Sequence, residues 1–286
     1  MTLQAPPFPK RLELELVSAC NLKCTYCPRR YLKPLSGHMS LALLRKLIDE
    51  ASAYPETILT LHRRGESLLH PRFNEALDIV AGQFKDVQMA TNGTLLDPDK
   101  YEALVRGLTF LSFSLDAPAS FDRTRIPAKY EVVERKILAF LDFNRGRIKT
   151  QVSMVRTDKT PESDVEAFKA VWQGRADRVR IYEEHSVDGR FGAMRRPRAA
   201  RRPCVMPFYE LLVYDDGKVG RCNHDWDSEP MGDLHRCSIA ELWRSPAYED
   251  LRRQHRELRL TDPVCRDCDS WYAEEGRQGT GEVVEK

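Results

Sequence analysis

Apolar and acidic residues alternate through Leu12-Glu13-Leu14-Glu15-Leu16-Val17, the period-two pattern of a strand. The next ordered stretch changes period. Behind Ser40, a candidate N-cap, Leu43, Leu44, Leu47 and Ile48 fall on one face of a helix that reaches about residue 50. Strand patterns recur at 58–61, 87–90, 110–115, 148–155 and 179–182, and helical patterns lie between them at about 71–81, 98–106, 130–143 and 162–172. Strand and helix thus alternate about six times, which predicts an α/β fold with a parallel βα array, short of the eight units of a closed barrel. In such an array the functional loops follow the strands.

Beyond residue 182 the pattern breaks. Asp188-Gly189-Arg190-Phe191-Gly192 is turn-rich, and Arg195, Arg196, Arg198, Arg201 and Arg202 form a basic run interrupted by Pro197 and Pro203. Such a run suits an acidic partner, RNA or a solvated linker; with no aromatic platform interleaved, a linker is expected and nucleic acid is not. A smaller α+β module follows. Segments 209–214 and 218–221 flank Asp215-Asp216-Gly217 as a hairpin, 239–258 reads as a helix with a break near Pro246, and the Gly- and Glu-rich tail from Ala273 is expected to be disordered. The expected organisation is an extension at 1–11, the βα array at 12–186, a linker at 187–203, the small module at 204–272 and a tail at 273–286.

Composition sharpens this picture in two ways. A chain of 286 residues with 42% apolar and 31% charged residues has length for a real core. No apolar run is long enough to span a bilayer, and the Pro-rich start lacks the apolar region of a secretory signal, so a cytoplasmic protein without membrane contact is expected. The net charge of +2 discriminates nothing. Eight cysteines in a cytoplasmic chain argue for metal or redox chemistry rather than disulfides.

Three of them sit in the loop after the first strand, Cys20-Asn21-Leu22-Lys23-Cys24-Thr25-Tyr26-Cys27. Three thiols on one loop can hold a 4Fe-4S cluster and leave one iron open to a non-protein ligand. The competing reading is a zinc site with His38 as fourth ligand, which leaves the preceding strand and Tyr26 without a role. Other strand-end loops carry Arg64-Gly65-Glu66, Thr91-Asn92-Gly93 and Ser114-Leu115-Asp116; singly these also suit turns and helix caps. In the small module Cys204, Cys222, Cys265 and Cys268 form a second, all-protein set, suited to structural zinc or to a second 4Fe-4S cluster.

The CxxxCxxC loop resembles the signature of the radical S-adenosylmethionine (SAM) superfamily. That resemblance implies an open partial (β/α)6 barrel, in which SAM chelates the open iron and is cleaved to a 5'-deoxyadenosyl radical, with an electron donor such as flavodoxin or ferredoxin. It further implies that Tyr26 contacts adenine, that Gly65 and Glu66 stand in the family's GGE motif with Glu66 on the SAM ammonium, and that Asn92, Ser114 and Asp116 lie near the ribose and carboxylate. Arg64 stands where that motif has its first Gly. The small module, with Gly217-x4-Cys222, Gly232-Asp233-Leu234, Trp243 and the final CxxC, resembles the Twitch module, a short relative of SPASM domains. This implies a second 4Fe-4S cluster on Cys204, Cys222, Cys265 and Cys268.

Together the resemblances cover about residues 12–272, and they extend to family members that act as 2-deoxy-scyllo-inosamine dehydrogenase and neomycin C epimerase. The eighth cysteine, Cys237, is then a candidate hydrogen donor to a substrate radical, which would invert a stereocentre. Arg190 is a candidate for orienting a substrate hydroxyl. The expected function is epimerisation of a sugar or aminocyclitol carbon, with an aminoglycoside as the expected substrate and Glu183, Glu184, Asp188, Asp225 and Asp227 as partners for its ammonium groups. The alternative is dehydrogenation of an aminocyclitol alcohol. Peptide modification is less favoured, since the stretch before Leu12 is short for a leader-binding domain. A zinc-ribbon binding protein is the reading from outside enzymology.

Overall fold

The computed structural model describes residues 3–184, 201–268 and 281–285. In chain order its elements are β1 Arg11–Leu14, β2 Lys23–Cys24, α1 Leu41–Ala51, β3 Ile58–Thr60, α2 Phe73–Val80, β4 Val87–Thr91, α3 Pro98–Gly107, β5 Phe110–Ser114, α4 Pro118–Thr124, β6 Arg125–Ile126, α5 Tyr130–Asn144, β7 Lys149–Arg156, α6 Glu162–Trp172, β8 Arg178–Glu183, β9 Glu210–Val213, β10 Lys218–Gly220, β11 Gly232–Asp233, α7 Ile239–Trp243, α8 Pro246–Glu257, α9 Pro263–Asp267 and β12 Gly281–Glu285. The sheet runs β11-β10-β9-β1-β3-β4-β5-β7-β8-β12, and every pairing from β9 to β8 is parallel. Strands β1, β3, β4, β5, β7 and β8 are the six of the partial barrel. The helices pack apolar faces on it: α1 buries Leu43, Leu44, Leu47 and Ile48, behind a Ser40 cap that accepts from Leu43 N.

Two features of the second module were not in the alternation pattern. Its hairpin does not form a separate sheet, because β9 pairs in parallel with β1, Leu12 opposite Leu211. Strand β1 therefore lies between β3 and β9 and all four of its residues are buried. The acidic positions of the first strand alternate with its leucines, a pattern that alone does not say what they face. Glu13 and Glu15 are buried at 3% and 0% exposure, and each meets an arginine of the loop after β3. The module also supplies the turn Asp215-Asp216-Gly217, where Gly217 has φ +81°, a backbone that Gly adopts without strain.

The helix expected over 239–258, with its break near Pro246, is two: α7 ends at Trp243, and Ser245 caps α8 with Pro246 at its first turn, where the missing proline N–H costs nothing. The tail expected to be disordered contains β12, which pairs antiparallel with the edge of β8 from Gly281 opposite Tyr182 to Glu285 opposite Arg178. Its charges find partners there, Glu282 on Lys169 and Glu285 on Arg178. Among the described residues no helix is long and apolar enough to cross a membrane.

Burial and the facing charge of Glu210 push the Glu13 carboxyl up to about 8, against the opposing pull of Arg63 and Arg11. A carboxyl raised in the folded state favours folding below its unfolded pKa, and that contribution is lost as pH rises through the folded value. The thermal midpoint of the wild type should therefore decline from about pH 5 to about pH 8. Glu13→Gln should flatten that decline in the same scan, and an equal slope in both proteins would refute the assignment.

Candidate active site

The cysteine loop leaves β1 through Ser18, and its course is set by the loop after β3. Glu66 N donates to Ala19 O at 2.8 Å, and the Arg29 guanidinium donates to Ser18 O and, at 3.2 Å, to Arg64 O. The two backbones approach so closely at Gly65 that an added Cβ would lie 2.2 Å from Val17 O and 2.3 Å from Ala19 O. Only Gly fits there, whatever its φ. Cys20, Cys24 and Cys27 then line one wall of a cavity of ≈ 600 Å³, with Tyr26, Gly65, Glu66, Asn92 and Ser114 around it. The barrel thus brings the strand-end residues Gly65, Glu66, Asn92 and Ser114 together with Tyr26 and the thiols.

Their hydrogen bonds show how each is held. The Glu66 carboxylate accepts from Thr91 Oγ1 and Asn92 N, both at 2.7 Å, and from Leu68 N at 3.1 Å, and burial still raises its pKa. Asn92 reaches into the cysteine loop, its Nδ2 donating to Asn21 Oδ1 at 2.9 Å and lying 4.0 Å from Cys20 Sγ. Asp116 is buried behind the cavity: it accepts from Tyr26 OH at 3.0 Å, Thr124 Oγ1 at 2.6 Å and Arg125 Nε at 3.1 Å. The cation beside Cys24 is therefore Arg125, a cavity residue that no motif in the chain singles out. Arg63, His62 and Trp226 also line the cavity unannounced; a polar residue just past a strand end was the one available signal for His62.

Arg64, the departure from GGE, spans the two modules. Its guanidinium donates to both Glu15 oxygens, at 2.8 and 2.6 Å, and to Trp226 O at 2.9 Å, and it stacks 4.1 Å from the Tyr214 ring centre. Arg63 donates to Asp225 O at 2.7 Å and lies 4.9 Å from the Trp226 ring centre. These contacts hold Trp226 of the second module against the barrel cavity.

The second set of thiols is organised by cations and caps. Arg201 donates to the carbonyls of Cys265, Arg266 and Cys268, Asp262 caps the α9 start at Cys265 N, and Cys204 N donates to His255 Nδ1 at 3.3 Å. Burial raises every thiol of both sets that titrates abnormally, Cys24 and Cys204 to about 12, and the neighbouring thiols of each set push in the same direction. Thiolates in such places need a compensating cation, which a metal centre provides. Among the described residues no three His, Cys, Asp or Glu side chains converge as one metal ion would require. His38 packs edge-on against His70, 5.4 Å between ring centres, rather than lining the cavity.

Cys237, the candidate hydrogen donor, sits in the second module. It lies in the loop before α7 on the outer flank of α1: Lys46 of α1 donates to its carbonyl at 3.0 Å, its Sγ donates to Asp233 O at 3.4 Å, and it packs against the hydrophobic core. It does not line the cavity. Arg190 falls outside the described residues.

A family model described as the radical SAM superfamily matches residues 14–170. The chain belongs to the radical SAM superfamily. A second model, an iron-sulfur cluster-binding SPASM domain, matches residues 204–269, and the two families imply SAM and 4Fe-4S clusters. AlbA of Bacillus subtilis, a subtilosin biosynthesis protein, is 24% identical over 258 residues, 82% of this chain and 56% of AlbA. The chain spans about a third to just over half the length of the curated relatives it matches. Among solved structures, BtrN in complex with AdoMet and 2-DOIA has TM-score 0.65 at 18% identity, covering 96% of this chain and 98% of BtrN. SuiB of Streptococcus suis bound to precursor peptide SuiA has TM-score 0.73 at 12% identity, covering 92% of this chain and 70% of SuiB.

Two substitutions test this geometry. Gly65→Ala should displace the cysteine loop, costing about 1–3 kcal/mol or more, and should lower the iron content of anaerobically reconstituted protein. Arg64→Gly, which restores the family motif, should destabilise by about 3–5 kcal/mol because it strands the buried Glu15 carboxylate. Denaturant titration reads both losses, and a neutral Arg64→Gly would contradict the bridging role.

Proposed function

We propose that this radical SAM enzyme dehydrogenates a hydroxyl-bearing carbon of a small, hydroxylated amine of the aminocyclitol type, using two 4Fe-4S clusters. The observation that carries oxidation over inversion is the cavity lining, whose only cysteines are Cys20, Cys24 and Cys27. A carbon radical quenched with inversion needs a hydrogen donor with a weak bond, and no thiol outside that trio faces the cavity. The cavity volume of ≈ 600 Å³ is in the small-molecule range. Likeness to BtrN over nearly all of both chains supports the same substrate class.

When bound, SAM and its cluster would supply the radical that removes hydrogen, and a second cluster an acceptor for the electron left on carbon. The chain's own residues do the positioning. Cys20, Cys24 and Cys27 would hold the first cluster, and Cys204, Cys222, Cys265 and Cys268 the second. Gly65 and Glu66 would receive the SAM ammonium, Asn92 and Ser114 its ribose side, and Tyr26 its adenine. Asp116 would act through Arg125 and Tyr26, because its oxygens are already engaged by them. Trp226 excludes water from the side where the second module closes the cavity. Flavodoxin or ferredoxin would serve as electron donor.

Peptide modification is the second reading, favoured by the similarity to AlbA along 82% of this chain and by the fold likeness to SuiB. Anaerobic incubation with SAM, a reductant and 2-deoxy-scyllo-inosamine separates the readings. Dehydrogenation should yield 5'-deoxyadenosine and a ketone lighter by two hydrogens, with Cys237→Ala unimpaired. An isobaric product carrying one solvent deuterium, or loss of turnover in Cys237→Ala, would overturn it in favour of inversion. About eight iron and eight sulfide per chain are expected in the reconstituted protein.

A further inference from the structure

Strand β3 ends at Thr60, and His62 stands two residues on, in the wall of the cavity. Its Nδ1 lies 3.0 Å from the backbone N of Ala90 in β4. A backbone N–H only donates, so Nδ1 accepts and carries no proton. In the neutral ring the proton is then on Nε2. The ladder between β3 and β4 explains why the imidazole is needed there. Thr60 registers with Gln88, and Leu61 N donates to Gln88 O at 2.8 Å. Ala90 N comes next in that row, and its acceptor is a side chain in place of a carbonyl. One end of His62 is thus structural.

The other end is not. Among the described residues Nε2 has no hydrogen-bond partner, and it is not among the polar atoms sealed from solvent. Burial and the charges of Arg11 and Arg63 hold the imidazole pKa down at about 4, so the ring is neutral at ordinary pH. A neutral imidazole with its tautomer locked is a fixed donor that adds no charge. It is no base: Nε2 already bears the proton, and Nδ1 is occupied by Ala90. The same wall carries Trp226 and Arg63, so an oxygen received by His62 would sit where the two modules meet.

We propose that His62 orients the substrate, its Nε2–H donating to a hydroxyl or carbonyl oxygen on the carbon that reacts. The choice of a hydroxylated substrate rests on the proposed function; the locked donor does not. Two substitutions separate the two ends of the ring. Asn places an acceptor near the Nδ1 position and nothing at Nε2. Gln reaches the Nε2 position with an N–H and gives up the ladder contact.

Full-length, cluster-reconstituted wild type, His62→Asn and His62→Gln would be titrated calorimetrically, in the presence of SAM, with 2-deoxy-scyllo-inosamine and separately with a serine-containing peptide. Thermal midpoints would be recorded in parallel. For whichever probe the wild type binds, His62→Asn should weaken binding about ten-fold while keeping its thermal midpoint. His62→Gln should bind within about three-fold of wild type despite a lower midpoint. The reverse order, tight binding by His62→Asn and weak binding by His62→Gln, would reduce His62 to a cap on the strand ladder and overturn the inference. Binding of the peptide alone would sink the aminocyclitol reading and leave His62 in its role. Binding of neither probe by the wild type would overturn both.

Discussion

The two-pronged pair between Arg64 and Glu15 is the constraint on which the site depends. Its side chains are 9% and 0% exposed, so neither charge is solvated and each is tolerable only because the other is there. The guanidinium is placed to use every edge: two hydrogen bonds to the carboxylate, one to Trp226 O, and a face over Tyr214. The Glu15 carboxylate also accepts from Arg64 N at 3.0 Å, which fixes the loop backbone immediately before Gly65. One buried pair thereby positions the loop that must pass Val17 and Ala19 without a side chain, and ties it to the second module.

A second bridge lies beside the first. Asp215, in the hairpin turn, accepts from Ser18 Oγ at 3.0 Å, and Ser18 Oγ accepts from Gly37 N at 3.0 Å. Burial and the charge of Glu15 raise the Asp215 carboxyl to about 6. The turn of the second module thus grips the chain two residues before Cys20, on the side opposite Gly65. The cysteine loop is held between a barrel loop and a hairpin, both anchored to β1.

Much of this was legible in the chain and some was not, for identifiable reasons. Alternation of periods revealed the six βα units because each unit buries a face whose period is local. The thiol trio and the final CxxC were equally legible, since their ligands are close in sequence. The burial of Glu13 and Glu15 could not be read from the alternation, which says which residues share a face and not what that face meets. Here it meets Arg63 and Arg64 of the loop after β3, while β9 pairs along the edge of β1. Arg64 likewise looked like a defect in a motif, and its purpose is visible only beside Tyr214 and Trp226. For Cys237 the sequence could count a spare thiol but could not place it beside α1, where Lys46 donates to its carbonyl.

The location of Trp226 bears on how one barrel can support different reactions. Residues at the strand ends, from Gly65 to Ser114, are concerned with one end of the cavity, where the cysteines lie. The rest of the wall is completed by Arg63 and by a residue of the second module that Arg63 and Arg64 hold in place. In this chain that part of the wall offers an indole, a guanidinium and a neutral imidazole, none of which gives up a hydrogen atom as readily as a thiol does. The four cysteines of the second module are not among the cavity's lining residues, and Arg221, next to Cys222, pairs with Asp225 and Asp262. The second module thus supplies part of the cavity wall through Trp226 and keeps its own four cysteines outside that lining.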